Sequence, residues 1–376
     1  MAKRIIIVGP AHPLRGGLAT YNQLLATKLQ EQGHQVKILT FSLQYPNFLF
    51  PGKSQFSTDP KPADLEIEVA LNSVNPFNWL KLGNRIRKEK PDLLIFRYWM
   101  PFMGPCLGTL SRLVRKNKHT RSVAITDNII PHEKRFFDTP FTKYFLKSCD
   151  GFVTMSKAVL EDLNAFNVNK LAAYNPHPMY ESFGPEIDKL VAKEQLGLDK
   201  DTSYLLFFGF IRKYKGLDLL LKAFAKSNLS QQKVKLIIAG EYYDKPDEYK
   251  ELIQDLNLES SLVQANDFIP DSEVSKYFSA CDMVVQTYKS ATQSGVTQVA
   301  YFYNKPMLVT NVGGLAELVP HQKVGYVTPV NEDEIALALK DFYENKREEL
   351  FASHVKTERN RFTWNSMIDK LFEVAG

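Results

Sequence analysis

A chain of 376 residues, 44% hydrophobic and 24% charged, is long enough for two ordinary globular domains and too apolar for a disordered one. The net charge of +5 hides an asymmetry: residues 1–180 hold 24 Lys and Arg against 13 Asp and Glu, and residues 181–376 hold 23 against 29. No apolar run reaches the roughly 18–20 residues of a membrane-spanning helix, and Cys106, Cys149 and Cys281 have neither disulfide, metal nor redox spacing, which points to buried thiols in a reducing cytoplasm.

In chain order, "RIIIV" (4–8) reads as a first strand. Its apolar run is shorter than the core of about 7–15 residues that a signal peptide needs. A Gly/Pro loop follows, then a segment with apolar residues at helical spacing that stops at Gly33. "QVKILTF" (35–41), "PDLLIFRYW" (91–99), "SVAIT" (122–126) and "GFVTM" (151–155) read as further strands. The alternation restarts with "SYLLFFGFI" (203–211), a helix at "LDLLLKAFAKS" (217–227), and strands at "VKLIIAG" (234–240), "DMVVQT" (282–287) and "PMLVT" (306–310). Strands alternating with helices predict parallel βαβ units. The Pro- and Gly-rich stretch 174–188 marks a boundary, giving domains 1–178 and 179–376. The fold class is therefore α/β, with two Rossmann-like parallel sheets facing each other across a cleft.

Three loops carry candidate chemistry. "GPAHPLRGGLATYN" (9–22) follows the first strand, and Gly16 and Gly17 would let a ligand approach backbone amides at a helix start. It contains no dinucleotide fingerprint and equally fits a plain turn. "FFGFIRKYKG" (207–216) ends a strand at Gly209 and presents Arg212 and Lys215 three residues apart, a pair suited to a diphosphate. "SATQSGVTQVA" (290–300) predicts a helix beginning near Ser294, with Gly295, Val296 and Thr297 aiming amides at an anion. No Asp/His/Cys cluster suggests a metal, so none is expected.

These loops, in order with "IIAGE" (237–241), "FIPDSEVSKYFSACDMVVQTY" (268–288), "NKPMLVTNVGGLAELV" (304–319) and "RFTWNSMIDKLFEV" (361–374), give the chain its likeness. It resembles the retaining, nucleotide-sugar-dependent glycosyltransferases of family 4, with the GT-B fold. The match includes "G-x-[IL]-x-x-x-K-G" at Gly209, Ile211, Lys215 and Gly216. The resemblance implies a second domain that binds the nucleotide sugar and a first that binds the acceptor. It also implies that the last helices, about 357–376, pack back on the first domain. Arg212 and Lys215 would then neutralise the diphosphate leaving group, with no cofactor. Relatives often carry Arg directly after the first glycine, where this chain has Phe210. They also carry two glutamates eight residues apart, at positions that fall near Ala291 and Val299 here. Thr292, Gln293 and Gln298 are the polar residues available to replace them, and Gln298 is placed at the open end of the turn to hold a ribose. Gly240, Glu241 and Glu317 complete the implied donor site. His132, in "TDNIIPHEKRFF" (126–137), is the implied catalytic histidine, and Arg15, Asp127 and Tyr98 are the acceptor-side candidates.

The expected partners are a nucleotide sugar donor and a sugar, glycan or lipid-linked acceptor. The basic first half fits an anionic acceptor or an anionic membrane surface, which would make the protein cytoplasmic and peripheral on the membrane's inner face. No nucleic-acid-binding module is present. A nucleotide-sugar epimerase of the same architecture and a catalytically silent nucleotide-sugar-binding protein are the alternatives.

Overall fold

The computed structural model describes residues 2–45, 55–57, 60–130, 135–291 and 294–376. The chain divides into two compact units. Unit one comprises residues 1–178 and 363–376, and unit two residues 179–362.

Unit one alternates strand and helix: β1 (Arg4–Val8), α1 (Gly17–Glu31), β2 (Gln35–Leu43), β3 (Glu66–Asn72), α2 (Pro76–Glu89), β4 (Leu93–Tyr98), α3 (Gly104–Arg115), β5 (Arg121–Thr126), α4 (Asp138–Leu146), β6 (Gly151–Thr154), α5 (Lys157–Ala165) and β7 (Leu171–Tyr174). Among the described residues these strands form one seven-stranded sheet in the order β3-β2-β1-β4-β5-β6-β7, every pair parallel. Parallel central strands are covered on both faces, which is why β1 continues Ile-Ile-Ile-Val after Arg4 and β4 begins Leu-Leu-Ile-Phe. The core packs Val8, Phe96, Leu107, Leu110 and Phe145 together. β3 is an edge strand whose alternating Glu66 and Glu68 pair with Lys37, so its sequence lacks the apolar run of its neighbours.

Unit two consists of α6 (Lys189–Gln195), β8 (Ser203–Phe208), α7 (Leu217–Ser227), β9 (Val234–Ala239), α8 (Asp247–Asp255), β10 (Leu262–Ala265), α9 (Asp271–Ala280), β11 (Met283–Gln286), α10 (Gly295–Phe302), β12 (Met307–Thr310), α11 (Leu315–Leu318), β13 (Gly325–Thr328), α12 (Glu332–Glu344) and α13 (Glu348–Glu358). Its described strands form a six-stranded sheet in the order β10-β9-β8-β11-β12-β13, again all parallel. Helix α7 shows how sequence fixes packing: Leu217, Leu220, Leu221 and Phe224 recur at three- and four-residue intervals and all are buried. The final helix, α14 (Trp364–Ala375), is capped by the Thr363 hydroxyl and lies in unit one. There Gly151 leaves room for it: a Cβ at that position would sit 2.1 Å from the Val374 carbonyl oxygen. Among the described residues no helix is long and apolar enough to cross a membrane.

Candidate active site

Because every strand of unit two is parallel, the loops after β8, β9 and β11 emerge on one edge of its sheet, the edge where α/β proteins bind ligands. Gly209 and Gly240 end β8 and β9 with positive φ of 94° and 150°. A Cβ on Gly240 would lie 2.2 Å from the Gly209 carbonyl oxygen, so the two loops cross where only glycine fits. They are then laced by backbone bonds: Ile211 N–H donates to Glu241 O at 2.8 Å, and Tyr243 N–H to Ile211 O at 3.0 Å. Gly216 starts α7 at φ 68°, and a Cβ there would lie 2.0 Å from the Thr287 carbonyl oxygen.

This scaffold fixes two cations. The Lys215 Nζ tucks beneath Gly209, 3.1 Å from where a Cβ on that residue would be, and 5.6 Å from the Tyr288 ring centroid. Lys215 is buried, and among the described residues it has no ion pair. Burial, and then the neighbouring Arg212 charge, pushes its pKa down to about 7. The Arg212 guanidinium sits over the Tyr243 ring at 4.9 Å, and that ring packs on Phe210 at 4.4 Å. The loop after β9 therefore aims the arginine through an aromatic face. Tyr243→Ala is expected to weaken nucleoside diphosphate binding about tenfold while Tyr243→Phe keeps it, read by calorimetry; equal affinity for both variants would separate Tyr243 from Arg212.

Helix α10 joins the same edge. Val296 Cγ2 lies 3.8 Å from the Cβ position of Gly209, which brings the α10 start beside Lys215. Ser294 caps it, its hydroxyl accepting from Val296 N–H at 3.3 Å and meeting the Tyr288 hydroxyl at 3.2 Å. No acid occupies the first turn. Gly295 is tight against Tyr180, whose ring a Cβ would approach to 2.8 Å. Thr297 is fully buried and donates to Gln286 Oε1. Gln298 does not stand at an open end as its helical angle suggested: α10 is covered on nearly every side from Thr297 to Tyr301, and Gln298 is 0% exposed. Neither amide atom of Gln298 has a hydrogen-bond partner among the described residues. Val299 is buried apolar packing. Glu241 is buried, and Glu317, in the first turn of α11, has one carboxylate oxygen without a partner among the described residues. Thr292, Gln293 and His132 lie outside the described residues.

In unit one, the glycine loop follows β1 on the corresponding edge of its own sheet. Thr40 Oγ1 both accepts from Ala11 N–H and donates to Ala11 O, Asn22 Nδ2 donates to Pro10 O, and Gln23 Oε1 accepts from His12 N–H. Gly16, at φ 100°, and Gly17 open α1, whose first turn carries no acid. Arg15 N–H donates to Gln55 O, tying the loop to the segment 55–57.

Two acceptor-side candidates turn out to serve the interior. Asp127 takes a two-pronged ion pair from Arg97, at 2.6 and 2.5 Å, with both side chains buried. Tyr21 covers the guanidinium at 3.8 Å, and the Tyr21 ring packs on His177 and Trp364. His177 is pushed down to about 3 by burial and stays neutral. Tyr98 is fully buried, stacked on Phe145 at 4.5 Å, with its hydroxyl against Thr142. Sequence reasoning missed the Arg97 pair, although a lone arginine inside "LLIFRYW" was the available signal. It also missed the Phe210–Tyr243 support, for which no local signal exists. Among the described residues no group of three or more His, Cys, Asp or Glu is placed to hold a metal.

Residues 15–173 match the family description "Glycosyltransferase Family 4" and residues 188–361 match "Glycosyl transferases group 1". The chain is 24% identical to an uncharacterised glycosyltransferase of Methanocaldococcus jannaschii, over 99% of this chain and 97% of that one. It is 24% identical to the alpha-monoglucosyldiacylglycerol synthase of Streptococcus pneumoniae, over 75% of this chain and 65% of that one. Its fold matches that of the Anabaena protein HepE, solved in complex with UDP-glucose, with a TM-score of 0.75 at 16% identity, over 99% of this chain and 98% of that one. Two family descriptions met in succession, on two parallel-sheet units, give one conclusion: the chain belongs to family 4 of the glycosyltransferases and is an enzyme of the GT-B fold.

Proposed function

We propose that unit two holds the diphosphate of a nucleotide sugar and that the enzyme moves the sugar to a glycan or lipid-linked acceptor without a metal ion. The observation that carries this is Lys215, a buried amine with no ion pair among the described residues, which lies beside the α10 start and shares its loop with Arg212. A buried cation without a partner is costly unless an anion arrives. As the glycosidic bond breaks, negative charge grows on the leaving phosphate. Arg212, Lys215 and the amides of the first α10 turn stabilise that charge from fixed positions. Retention of configuration follows the family. Relatives support the substrates: the HepE structure holds UDP-glucose, and the pneumococcal relative is named for a glycolipid product. The basic first half supports an anionic membrane surface as the place where the acceptor is met.

A panel of nucleotide sugars, scored by melting temperature and then by product, tests this reading. One donor should raise the melting temperature and yield transferred or slowly hydrolysed sugar. An epimerised sugar as the product, or stabilisation with no turnover, would overturn it.

The Lys215 amine also sets a pH dependence. Its pKa of about 7 in the free protein must rise when a diphosphate sits beside it. Diphosphate affinity is therefore greatest below pH 7 and falls as pH rises above it, with proton uptake on binding. Calorimetry at pH 6.5 and 8.5 checks the sign; equal affinity at both would detach Lys215 from the phosphates.

Glu317 is proposed to hold the ribose, since one of its carboxylate oxygens has no partner among the described residues, whereas Gln298 is closed inside the packing of α10. Gln298→Met is expected to raise stability by relieving an unpaired amide and to leave nucleoside diphosphate affinity unchanged, and Glu317→Ala to weaken that affinity by about 1–2 kcal/mol. Unchanged affinity in Glu317→Ala would take the ribose away from Glu317.

A further inference from the structure

We propose that Tyr288 is a positioning residue for the diphosphate site: its ring holds the Lys215 amine in place and its hydroxyl holds Ser294 at the α10 start, so one side chain sets both halves of the site. This rests on the reading that unit two takes a diphosphate, and it names what keeps the parts of that site in register.

Tyr288 follows β11 by two residues and is 3% exposed. Its backbone is pinned from both neighbours and from a third strand. Before it, the Thr287 hydroxyl donates to Gly216 O at 2.8 Å, at the start of α7. After it, Lys289 N–H donates to Tyr214 O at 2.6 Å, and the Lys289 amine pairs with Asp218 at 2.6 Å. At Tyr288 itself the carbonyl accepts from the Thr310 hydroxyl at the end of β12. The residue is thereby tied to the loop that carries Arg212 and Lys215 on one side and to the sheet on the other.

Its side chain then meets two groups of the site. The Lys215 Nζ lies 5.6 Å from the ring centroid, within reach of cation–π attraction. That attraction favours the charged amine and works against burial and the Arg212 charge, which push the Lys215 pKa down to about 7. Of the charged side chains on the surrounding loops, Arg212 acts on Lys215 and Asp218 is held by Lys289. Glu241 is buried after β9 and makes no ion pair with Lys215 among the described residues. The Tyr214 ring braces the Tyr288 ring edge-on at 6.0 Å.

At the other end of the side chain, the Tyr288 hydroxyl is 3.2 Å from Ser294 Oγ. Burial raises the phenol's pKa, so it keeps its proton and has one to donate. With that O–H donating, Ser294 Oγ accepts twice, from the phenol and from Val296 N–H at 3.3 Å. The serine's own hydrogen then remains for a phosphate oxygen. An apolar side chain would fill the same space as packing. An enclosed phenol must place its hydroxyl on a partner, and the partner here is the cap of the helix that faces the anion.

The test is calorimetric titration with UDP, ADP and GDP between pH 5.5 and 8.5. Wild type is compared with Tyr288→Phe, Tyr288→Leu, Ser294→Ala and the double variant Ser294→Ala with Tyr288→Phe, and melting temperatures control for folding. Wild-type affinity should begin to fall at about pH 7. Tyr288→Phe should bind about tenfold more weakly with the fall at the same pH, because the ring stays and a hydrogen bond is lost. In Tyr288→Leu the fall should begin about one pH unit lower, because the amine loses its ring. Ser294→Ala should weaken binding about tenfold, and adding Tyr288→Phe to it should weaken binding no further. An unchanged pH dependence in Tyr288→Leu, or additive losses for the two hydroxyls, would overturn the proposal and leave the diphosphate reading standing. Tyr288→Phe keeps the interior filled, so the serine cycle decides the matter even where the leucine variant does not fold. A wild type that binds none of the three nucleotides, or binds them equally at every pH, would remove the diphosphate reading and this proposal with it.

Discussion

Arg212→Ala and Lys215→Met each lower the transfer rate about a hundredfold or more while unit two stays folded. The size follows from what a preorganised charge-stabilising group contributes to a transition state, roughly 3 kcal/mol. The fold is spared for different reasons at the two sites. Arg212 is half-buried and rests on Tyr243, with no ion pair to orphan among the described residues. Lys215 is the opposite case. Its amine is buried without a counter-charge among the described residues, and burial pushes its pKa down to about 7, so an apolar side chain of similar length removes a cost. Lys215→Met is therefore expected to melt at a higher temperature than wild type and to be nearly inactive, a trade of stability for activity. Steady-state kinetics with differential scanning calorimetry reads both effects. Near-normal turnover in both variants would remove the diphosphate from this site.

Asp127→Ala is expected to lower the stability of unit one by about 3–5 kcal/mol, because it takes the two-pronged carboxylate away from a buried guanidinium. Denaturant unfolding followed by circular dichroism measures this. The geometry makes the loss large. Arg97 is the last but one residue of β4, in register with Ile125 of β5, and Asp127 follows β5 by one residue. Tyr21 closes over the guanidinium, so no water replaces the carboxylate on that side. A variant as stable as wild type, but with a raised KM for acceptor, would return Asp127 to the acceptor-side role its sequence position suggested.

The two sheets were legible because central parallel strands are short apolar runs, and those runs are unmistakable in β1, β4, β8 and β9. β3 was not, since an edge strand with Glu66 and Glu68 on one side reads as polar loop. β13 hides behind Gly325, whose Cβ would collide with Met307, so its defining feature is a missing side chain. At the site, the cap at Ser294 was readable because capping is local. Gln298 was placed on an exposed face because a helical wheel knows only its own helix, and α10 is covered from several directions. Asp127 and Tyr98 looked like ligands because they stand at strand ends. Their partners, Arg97 and Thr142, lie 30 and 44 residues away, a distance that only the sheet and its helices close.

In the proposed mechanism, fixed cations of unit two, and not a metal, receive the diphosphate. Calorimetric titration of wild-type protein with UDP, ADP and GDP in the presence of EDTA tests it most directly. Saturable binding of at least one of them is expected, weakened about a hundredfold in Arg212→Ala, with affinity falling above pH 7. Binding that appears only after a divalent ion is restored, and is indifferent to Arg212 and Lys215, would contradict it.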